Sequence, residues 1–153
     1  MNELYAVRAV KSDADILFEW ANDKETRKNA FHTGPIAYET HLKWFEEKLK
    51  DENSVIFICK KNNENVGMLR FDRDGSTAVI SYSIDKLQRG KGYGTSLINL
   101  AQTVALNEPC LKGVVRLVGY VKTDNIPSCK CFEKNGYTCE KCDTYLAYSK
   151  VLC

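Results

Sequence analysis

The sequence predicts one domain of the mixed α/β (α+β) class, with about seven strands in a partly antiparallel and partly parallel sheet and about four helices. Three short β-rich runs within residues 54–85 are separated by turn residues, which predicts an antiparallel meander. A strand, a glycine-rich loop, a helix and a second strand follow one another over residues 77–121, which predicts a parallel crossover. The length of 153 residues fits one domain over residues 1–153.

The elements of the first third are a strand and two helices. Residues 4–10 are β-favouring, and Ser12 with Asp15 resembles a capping box that opens a helix through Trp20. Polar residues over 22–29 and the Gly-Pro pair that follows interrupt the helical pattern. A second helix is predicted where apolar residues recur at helical spacing, at Tyr38, Leu42, Phe45 and Leu49.

The middle of the chain is a meander followed by a crossover helix. The strands of the meander are predicted over residues 54–60, 66–72 and 77–85. After the glycine-rich loop, Leu97, Leu100, Ala101 and Val104 form one apolar helical face that ends near residues 107–109.

The last third contains a strand, a helix and two strands. Residues 114–121 are strongly β-forming. Pro127 fits the first turn of a helix with Asn125 near its cap, and Gly136 fits its end. Residues 137–151 are predicted to form the two final strands.

Composition narrows the class of protein. A formal net charge of +2 is too small to indicate a nucleic-acid partner, and no apolar run approaches a membrane span. The first residues do not resemble an export signal, so we expect a cytoplasmic protein with no membrane partner. The seven cysteines are an odd number in a chain without such a signal, which favours free thiols.

The glycine-rich loop is the strongest chemical signal in the sequence. Glycines at alternate positions let the backbone approach a ligand closely, and the helix that follows presents unpaired N–H groups at its first turn. Such a helix end binds phosphate, and Arg89 and Lys91 add cations that can pair with phosphate oxygens. The loop consists of Gln88, Arg89, Gly90, Lys91, Gly92, Tyr93, Gly94 and Thr95.

Two common nucleotide motifs do not fit this loop. A Rossmann motif needs a glycine at its sixth position, where Thr95 stands when the count starts from Gly90, and it follows a first strand instead of a meander. A P-loop needs a Gly-Lys-Ser/Thr string that the sequence lacks.

Two motifs resemble those of the GNAT superfamily of N-acetyltransferases. Arg89-x-x-Gly92-x-Gly94 matches the first signature of that superfamily. The second is an Asn-x-x-Ser/Ala pair with an aromatic-Glu-Lys-x-Gly-aromatic segment downstream, here Asn125 with Ser128 and then residues 132–137. The expected order of elements also agrees over residues 1–153, so the resemblance implies a GNAT-like fold with a sheet splayed at its middle.

The resemblance implies acetyl-CoA as the acetyl donor, and we expect no metal cofactor. The pyrophosphate would bind the loop amides, and the pantetheine would lie between the strands at 77–85 and 114–121 in place of a missing strand. The implied cofactor-binding residues are Ile84, Gln88, Arg89, Gly90, Lys91, Gly92, Tyr93, Gly94, Thr95, Asn125 and Ser128.

The catalytic groups of the superfamily are not all present. Phe132 stands where members often have the Tyr that protonates the leaving thiolate, and residues 118–119 lack the acid that often acts as a base. Ser83, Tyr120 and Tyr82 are the nearest replacements, although proton transfer through water is equally consistent with the sequence.

The acceptor pocket of the superfamily is built from the first two helices and their connection. Here that segment resembles members that acetylate nucleotide-linked amino sugars, and its expected acceptor-binding residues are Asn22, Arg27, Phe31, His32 and Trp44. We therefore expect a small-molecule primary amine as the acceptor. A ribosomal-protein type of N-terminal acetyltransferase and a catalytically silent CoA-binding sensor are the alternatives, and the oligomeric state stays open between monomer and homodimer.

Histidine and cysteine offer competing chemistry. His41 lies between apolar helical positions and is expected to be non-catalytic, whereas His32 in the connection is expected to meet the acceptor. Cys129 with Cys131 and Cys139 with Cys142 could compose a zinc site. Two residues on a helix project about 200° apart, so the first pair cannot share one ion.

Overall fold

The computed structural model describes residues 3–152. It contains seven strands and five α-helices, with three short 3-10 helices at Lys11–Asp13, Lys86–Gln88 and Pro109–Leu111. The elements are β1 Tyr5–Arg8, α1 Ala14–Ala21, α2 Lys24–Asn29, α3 Tyr38–Lys50, β2 Ser54–Lys61, β3 Glu64–Asp74, β4 Thr77–Ile84, α4 Tyr93–Asn107, β5 Arg116–Lys122, α5 Ile126–Lys134, β6 Thr138–Lys141 and β7 Tyr145–Val151.

All seven strands form one sheet in the order β1-β2-β3-β4-β5-β7-β6. The first four strands are antiparallel neighbours, which confirms the meander. Its turns use residues that tolerate positive φ, namely Asn62 (51°) and Asn63 (67°) between β2 and β3 and Gly75 (63°) between β3 and β4. The mixed α/β class and the predicted sheet of seven strands are therefore confirmed.

The parallel contact between β4 and β5 is short. Only Thr77, Ala78 and Val79 of β4 pair with β5, at Arg116, Leu117 and Val118. Both strands continue beyond this point, β4 to Ile84 and β5 to Lys122, without further pairing to each other. The sheet therefore splits at its middle into a gap that opens toward the carboxyl ends of β4 and β5.

Two apolar clusters pack on opposite faces of the sheet. On one face, α4 buries Leu97, Ile98, Ala101 and Ala105 together with α5 residues. On the other face, α1 and α3 bury Leu17, Trp20 and Phe45. Because β2 lies under both layers, it contributes Val55, Phe57 and Cys59 to the first cluster and Ile56 and Ile58 to the second. This double burial explains its unbroken apolar run.

Local differences from the sequence expectation occur near the first helices. The backbone N–H of Val10 donates to Asp13 Oδ2 at 2.8 Å, and α1 begins only at Ala14, so the capping box predicted at Ser12 and Asp15 is wrong. The polar stretch over 22–29 contains the additional helix α2. Its N-cap is Asp23, whose side chain accepts from Thr26 N at 3.1 Å.

The last features of the fold are the state of the cysteines and the length of the apolar helices. The six cysteines within residues 3–152 are free, as expected for those positions. No helix in this part of the chain has both the length and the apolar character that crossing a bilayer requires.

Candidate active site

A cavity of about 1100 Å³ lies at the gap in the sheet. Its wall combines the first three helices, β4, the glycine-rich loop, the end of β5 and the start of α5. The predicted residues that line it are Ser83, Tyr82, Tyr120, Ile84, Gln88, Arg89, Gly90, Gly92, Tyr93, Gly94, Thr95, Asn125, Ser128, Arg27, Phe31, His32 and Trp44. The fold thus brings the two sequence motifs and the expected acceptor segment around one space.

The glycine-rich loop ends at the N-terminus of α4. Gly90 and Gly92 have φ of 77° and 81°, a backbone region that disfavours side chains, and Gly92 is the N-cap residue. No side chain caps this helix, so its first-turn N–H groups and positive dipole end remain for an anion. Lys91 is exposed beside the cavity, with Nζ donating to Gln88 Oε1 at 3.2 Å.

Arg89 points from the loop toward α2. Its guanidinium lies 2.5 Å from Asp23 Oδ2 and 3.1 Å from Glu25 Oε2. Burial of Asp23 opposes ionisation, but the hydrogen bonds from Arg89 and from the Thr26 backbone outweigh it and lower the Asp23 pKa. A contact between Arg89 and a pyrophosphate therefore stays a prediction, because two carboxylates engage this charge in the structure.

Gly94 allows α4 to approach α5. A Cβ at this position would lie 2.8 Å from Cys131 Sγ, with the Tyr82 ring just beyond. The third glycine of the loop is therefore explained by close packing as well as by ligand approach. Cys131 lines the cavity and was missed by sequence reasoning, which considered its thiol only as a metal ligand.

A hydrogen-bonded chain joins the two predicted motifs. The Tyr82 hydroxyl donates to Ser128 Oγ at 2.8 Å, and Asn125 Oδ1 accepts from the Ser128 backbone N–H at 3.4 Å as the N-cap of α5. Burial raises the pKa of Tyr82 well above its ordinary value, with Cys131 adding to the shift. Tyr82 therefore stays a protonated hydroxyl at neutral pH.

Phe132 fills the space between α5 and the sheet. It is 2% exposed and stacks on Tyr148 with ring centroids 5.3 Å apart. Its Cζ would lie only 2.3 Å from a Cβ placed on Gly119, so Gly119 makes room for this ring. The hydroxyl of a tyrosine would extend from that same Cζ, the ring atom nearest β5.

Ser83 and Tyr120 lie on opposite sides of the gap. Ser83 on β4 is buried, and Tyr120 on β5 is 46% exposed. The Tyr120 ring contacts Tyr145 edge to face at 5.6 Å between centroids, and Phe31 contacts Tyr145 in the same way at 5.8 Å. Phe31 and Tyr120 line the cavity, and the ring of Tyr145 contacts both of them.

Asn22 differs from the other expected acceptor residues because the cavity wall does not include it. Its amide accepts from Ile36 N at 2.7 Å and donates to Ile36 O at 2.9 Å. Both halves of the amide are thus used to hold the α2–α3 connection against α1. In the structure Asn22 positions this connection, and its contact with the acceptor stays a prediction.

His41 is buried in the wall of the cavity beside aromatic rings. Its Nε2 lies 3.0 Å from the Ala14 carbonyl oxygen, and its ring stacks on Phe45 at 6.2 Å between centroids. Burial lowers its pKa, so the neutral ring is favoured at neutral pH. The contacts agree with a packing role.

The two cysteines of α5 differ in environment. Cys129 is buried in the core, whereas Cys131 lines the cavity. Across residues 3–152, no group of three His, Cys, Asp or Glu side chains could hold a metal ion.

The family of the chain is shown by comparison with known proteins. The family model described as "Acetyltransferase (GNAT) domain" matches residues 4–138. A relative from Bacillus subtilis (strain 168), named "Putative phosphinothricin acetyltransferase YwnH", is 30% identical over 112 residues. That match covers 69% of this chain and 65% of the relative, so the chain spans slightly less than two thirds of the relative's length.

Solved structures show the same fold. Spermidine N-acetyltransferase from Vibrio cholerae, in complex with CoA and spermine, has a TM-score of 0.84 at 14% identity and covers 97% of this chain and 95% of its own. RimL, a ribosomal L7/L12 alpha-N-protein acetyltransferase in complex with CoA, has a TM-score of 0.82 at 18% identity, with coverage of 99% and 96%. These structures share the fold, and the match of the family model over residues 4–138 shows that the chain belongs to the GNAT family of acetyltransferases.

Proposed function

We propose that this protein transfers the acetyl group of acetyl-CoA to a primary amine of a small molecule in a ternary complex. The single observation that carries the proposal is the gap in the sheet, where β4 and β5 separate after Val79 and Val118 and lead to the glycine-rich loop. The cytoplasm, where the sequence leads us to expect the chain, is where we propose that the reaction takes place.

The donor would occupy the gap. Separated parallel strands leave backbone donors and acceptors that the amides of pantetheine can satisfy, as a further strand would. The pyrophosphate would bind at the N-terminus of α4, where Gly90 and Gly92 admit it closely and Lys91 adds a positive charge. Tyr82 and Ser128 would then face the thioester end, because both line the cavity beside the gap.

The reaction is direct attack. The neutral amine nitrogen forms a bond to the thioester carbonyl carbon, the C–S bond breaks, and the sulfur leaves as thiolate. Backbone N–H groups of β4 beyond Val79 would stabilise negative charge on the carbonyl oxygen. The ammonium formed by the attack loses its proton through water, and the thiolate takes up a proton from water or from one of the candidate hydroxyls of Ser83, Tyr120 and Tyr82. Of these, Tyr82 stays protonated and donates to Ser128.

The acceptor is proposed to be an amine of the size of a nucleotide-linked amino sugar. Support comes from Phe31 and Trp44, whose rings line the cavity and could stack on planar or sugar rings, and from Arg27 and His32 beside them. One alternative is that the acceptor is the N-terminus of a protein, as the name of RimL states for that protein. The other is a CoA-binding sensor without catalytic activity.

The decisive experiment is a mass-spectrometric screen of purified protein with acetyl-CoA against nucleotide-linked amino sugars, aminoglycosides, polyamines and N-terminal peptides. A mass gain of one acetyl group on a small amine supports the proposal. Acetylation of peptides alone favours the N-terminal alternative. CoA binding by calorimetry without any acetylated product favours the sensor, and failure to bind CoA contradicts all three.

A further inference from the structure

The charges in the cavity wall are unbalanced. Within residues 3–152 the wall contains three arginines, Arg27, Arg70 and Arg89, and a single carboxylate, Glu25. Glu25 lies 3.1 Å from Arg89, which also pairs with Asp23 behind the wall. The carboxylate is therefore already engaged, and two arginines remain to set the electrostatic character of the acceptor end.

Arg70 is held in place by three contacts, and its positive charge is only partly neutralised. Its guanidinium lies 5.2 Å from the centroid of the Trp44 ring, Nε donates to Asp72 Oδ2 at 2.8 Å, and one terminal nitrogen donates to Ser81 Oγ at 3.4 Å. Asp72 is shared, because Lys48 Nζ also donates to it at 2.8 Å. One carboxylate thus serves two cations, and of the two only Arg70 lines the cavity.

Arg27 has no carboxylate partner among the residues that the structure describes. One terminal nitrogen donates to the Gly34 carbonyl oxygen at 3.3 Å, and its buried Nε has no acceptor. An arginine is charged at any physiological pH, so this group also contributes positive potential to the cavity. Guanidinium groups bind carboxylate and phosphate with two parallel hydrogen bonds.

We infer, on the basis of the proposed function, that the acceptor amine carries an anionic group, phosphate or carboxylate, which Arg70 and Arg27 bind. The same charges disfavour polycations such as polyamines and aminoglycosides, since each additional ammonium would meet arginines with no free carboxylate. Arg70 is the new specificity residue.

The test compares primary amines with and without an anionic group. Glucosamine 6-phosphate is set against glucosamine, 4-aminobutyrate against 4-aminobutanol, and spermidine serves as the polycation, with acetylated product measured by mass spectrometry at saturating acetyl-CoA. We expect kcat/KM to be at least about tenfold higher for the anionic member of one pair, and the pair that responds distinguishes phosphate from carboxylate. Preference for the neutral amines or for spermidine overturns the inference.

Two variants locate the effect. Arg70→Met and Arg27→Met should each reduce the ratio of kcat/KM for the anionic acceptor to kcat/KM for the neutral amine by about 10- to 100-fold. Arg116→Met, at an exposed arginine outside the cavity wall, should leave the preference unchanged. An unchanged preference in both cavity variants, each folded by circular dichroism, contradicts the assignment.

Binding measurements distinguish a failure of this inference from a failure of the proposed function. If CoA binds but no acceptor is acetylated, the proposed function fails. Calorimetric titration of glucosamine 6-phosphate and glucosamine into the CoA-loaded protein then still tests the charge preference. Equal affinity for the two sugars would reject it.

Discussion

Among single residues, Phe132 and Gly119 are fitted to each other across the boundary between α5 and β5. The ring is enclosed by Tyr148 and Tyr137 at centroid distances of 5.3 and 5.1 Å, so it cannot withdraw. A Cβ on Gly119 would meet it at 2.3 Å. We expect Gly119→Ala to reduce the free energy of unfolding by about 1–3 kcal/mol through overpacking, measured by urea denaturation.

The control for this variant is another glycine-to-alanine change in open space. A Cβ on Gly34 would have no other atom within 4 Å, so Gly34→Ala should be nearly neutral. Adding Phe132→Leu to Gly119→Ala should recover part of the stability, because the smaller side chain removes the ring edge that meets the new methyl group. If Gly119→Ala unfolds at the same urea concentration as the parent protein, the packing argument is incorrect.

Phe132→Tyr addresses the missing general acid. Its hydroxyl would extend from Cζ toward Gly119, so we expect a less stable protein without a gain in kcat. The measurement is kcat at saturating acetyl-CoA together with the midpoint of thermal unfolding. An increase in kcat with unchanged stability would show that the hydroxyl reaches the thiol.

Asp72 gives the protein a specific acid sensitivity. Burial opposes its ionisation, but hydrogen bonding from Lys48 and the charge of Arg70 prevail and hold the pKa below its ordinary value of 3.8. A lowered folded-state pKa contributes stability above pH 4, which is lost as pH falls through the folded value. Between about pH 4 and pH 2, the parent protein should therefore lose unfolding free energy more steeply than Asp72→Asn.

The exposed Asp124 supplies the comparison. Asp124→Asn should lose unfolding free energy at acid pH as steeply as the parent protein does. If the unfolding free energies of the parent protein and of Asp72→Asn fall equally with pH, the Asp72 carboxylate does not contribute to acid unfolding.

The roles of single residues were predictable from sequence where a motif requires a particular backbone conformation. Gly90 and Gly92 have positive φ, which favours glycine, and Asn125 caps α5 as expected. The environments of Asn22 and Arg70 were not predictable, because each depends on a partner brought close by tertiary folding. Asn22 bonds Ile36, and Arg70 stacks on Trp44 from another element.

Among the elements, the glycine-rich loop is connected to α2 through Arg89. Its guanidinium bonds Asp23, the N-cap of this short helix, and Thr26 Oγ1 at 3.3 Å. A six-residue helix is marginal alone, so such tertiary contacts hold it. We expect Arg89→Ala to raise KM for the acceptor more than KM for acetyl-CoA, because α2 contributes Arg27 to the cavity wall.

Lys91 is the matched comparison in the same loop. Lys91→Ala should weaken CoA binding by about three- to tenfold and leave the acceptor KM nearly unchanged, since Lys91 is exposed beside the loop and its ammonium bonds Gln88 of the same loop. Calorimetry with CoA and steady-state kinetics with both substrates measure the two effects. If Arg89→Ala weakens CoA binding more than Lys91→Ala does, the main role of Arg89 is to bind the phosphates of CoA and not to hold α2.

Element boundaries followed from sequence where apolar periodicity is strong, as in α3 and in the meander. The helix α2 was missed because its sequence, Lys24–Asn29, has no apolar face, and its stability depends on the Asp23 cap and the contact with Arg89. Periodicity reports burial, and a helix held by polar contacts leaves no such pattern.

For the whole molecule, a ligand in the gap should join the two halves of the sheet. A ligand that binds only the folded protein stabilises it by about 2.7 kcal/mol at 100 times its dissociation constant. For a chain of this size, we expect CoA at that level to raise the thermal midpoint by about 5–10 °C. Differential scanning calorimetry over a CoA series tests this, with adenosine as the control that lacks pyrophosphate and pantetheine; equal shifts for both would contradict binding along the gap.

The global fold was predictable because the order of strands and helices read from the sequence agreed with the fold that the resemblance to the GNAT superfamily implied. The extent of the split was not, since β4 and β5 have β-forming sequences along their whole length and only the structure shows pairing stop at Val79 and Val118. Strand propensity describes single segments, whereas separation depends on what packs beneath them.

The split also creates two strand edges in the interior of a sheet that would otherwise have edges only at β1 and β6. Bare edges recruit strands from other chains, and proteins commonly protect them by a covering segment or by charge. Here a small molecule would provide the protection. We therefore expect light scattering to show slower aggregation at about 45 °C, within the usual range of thermal midpoints, when CoA is present. The supply of donor would then govern how long the enzyme remains monodisperse as well as how fast it works.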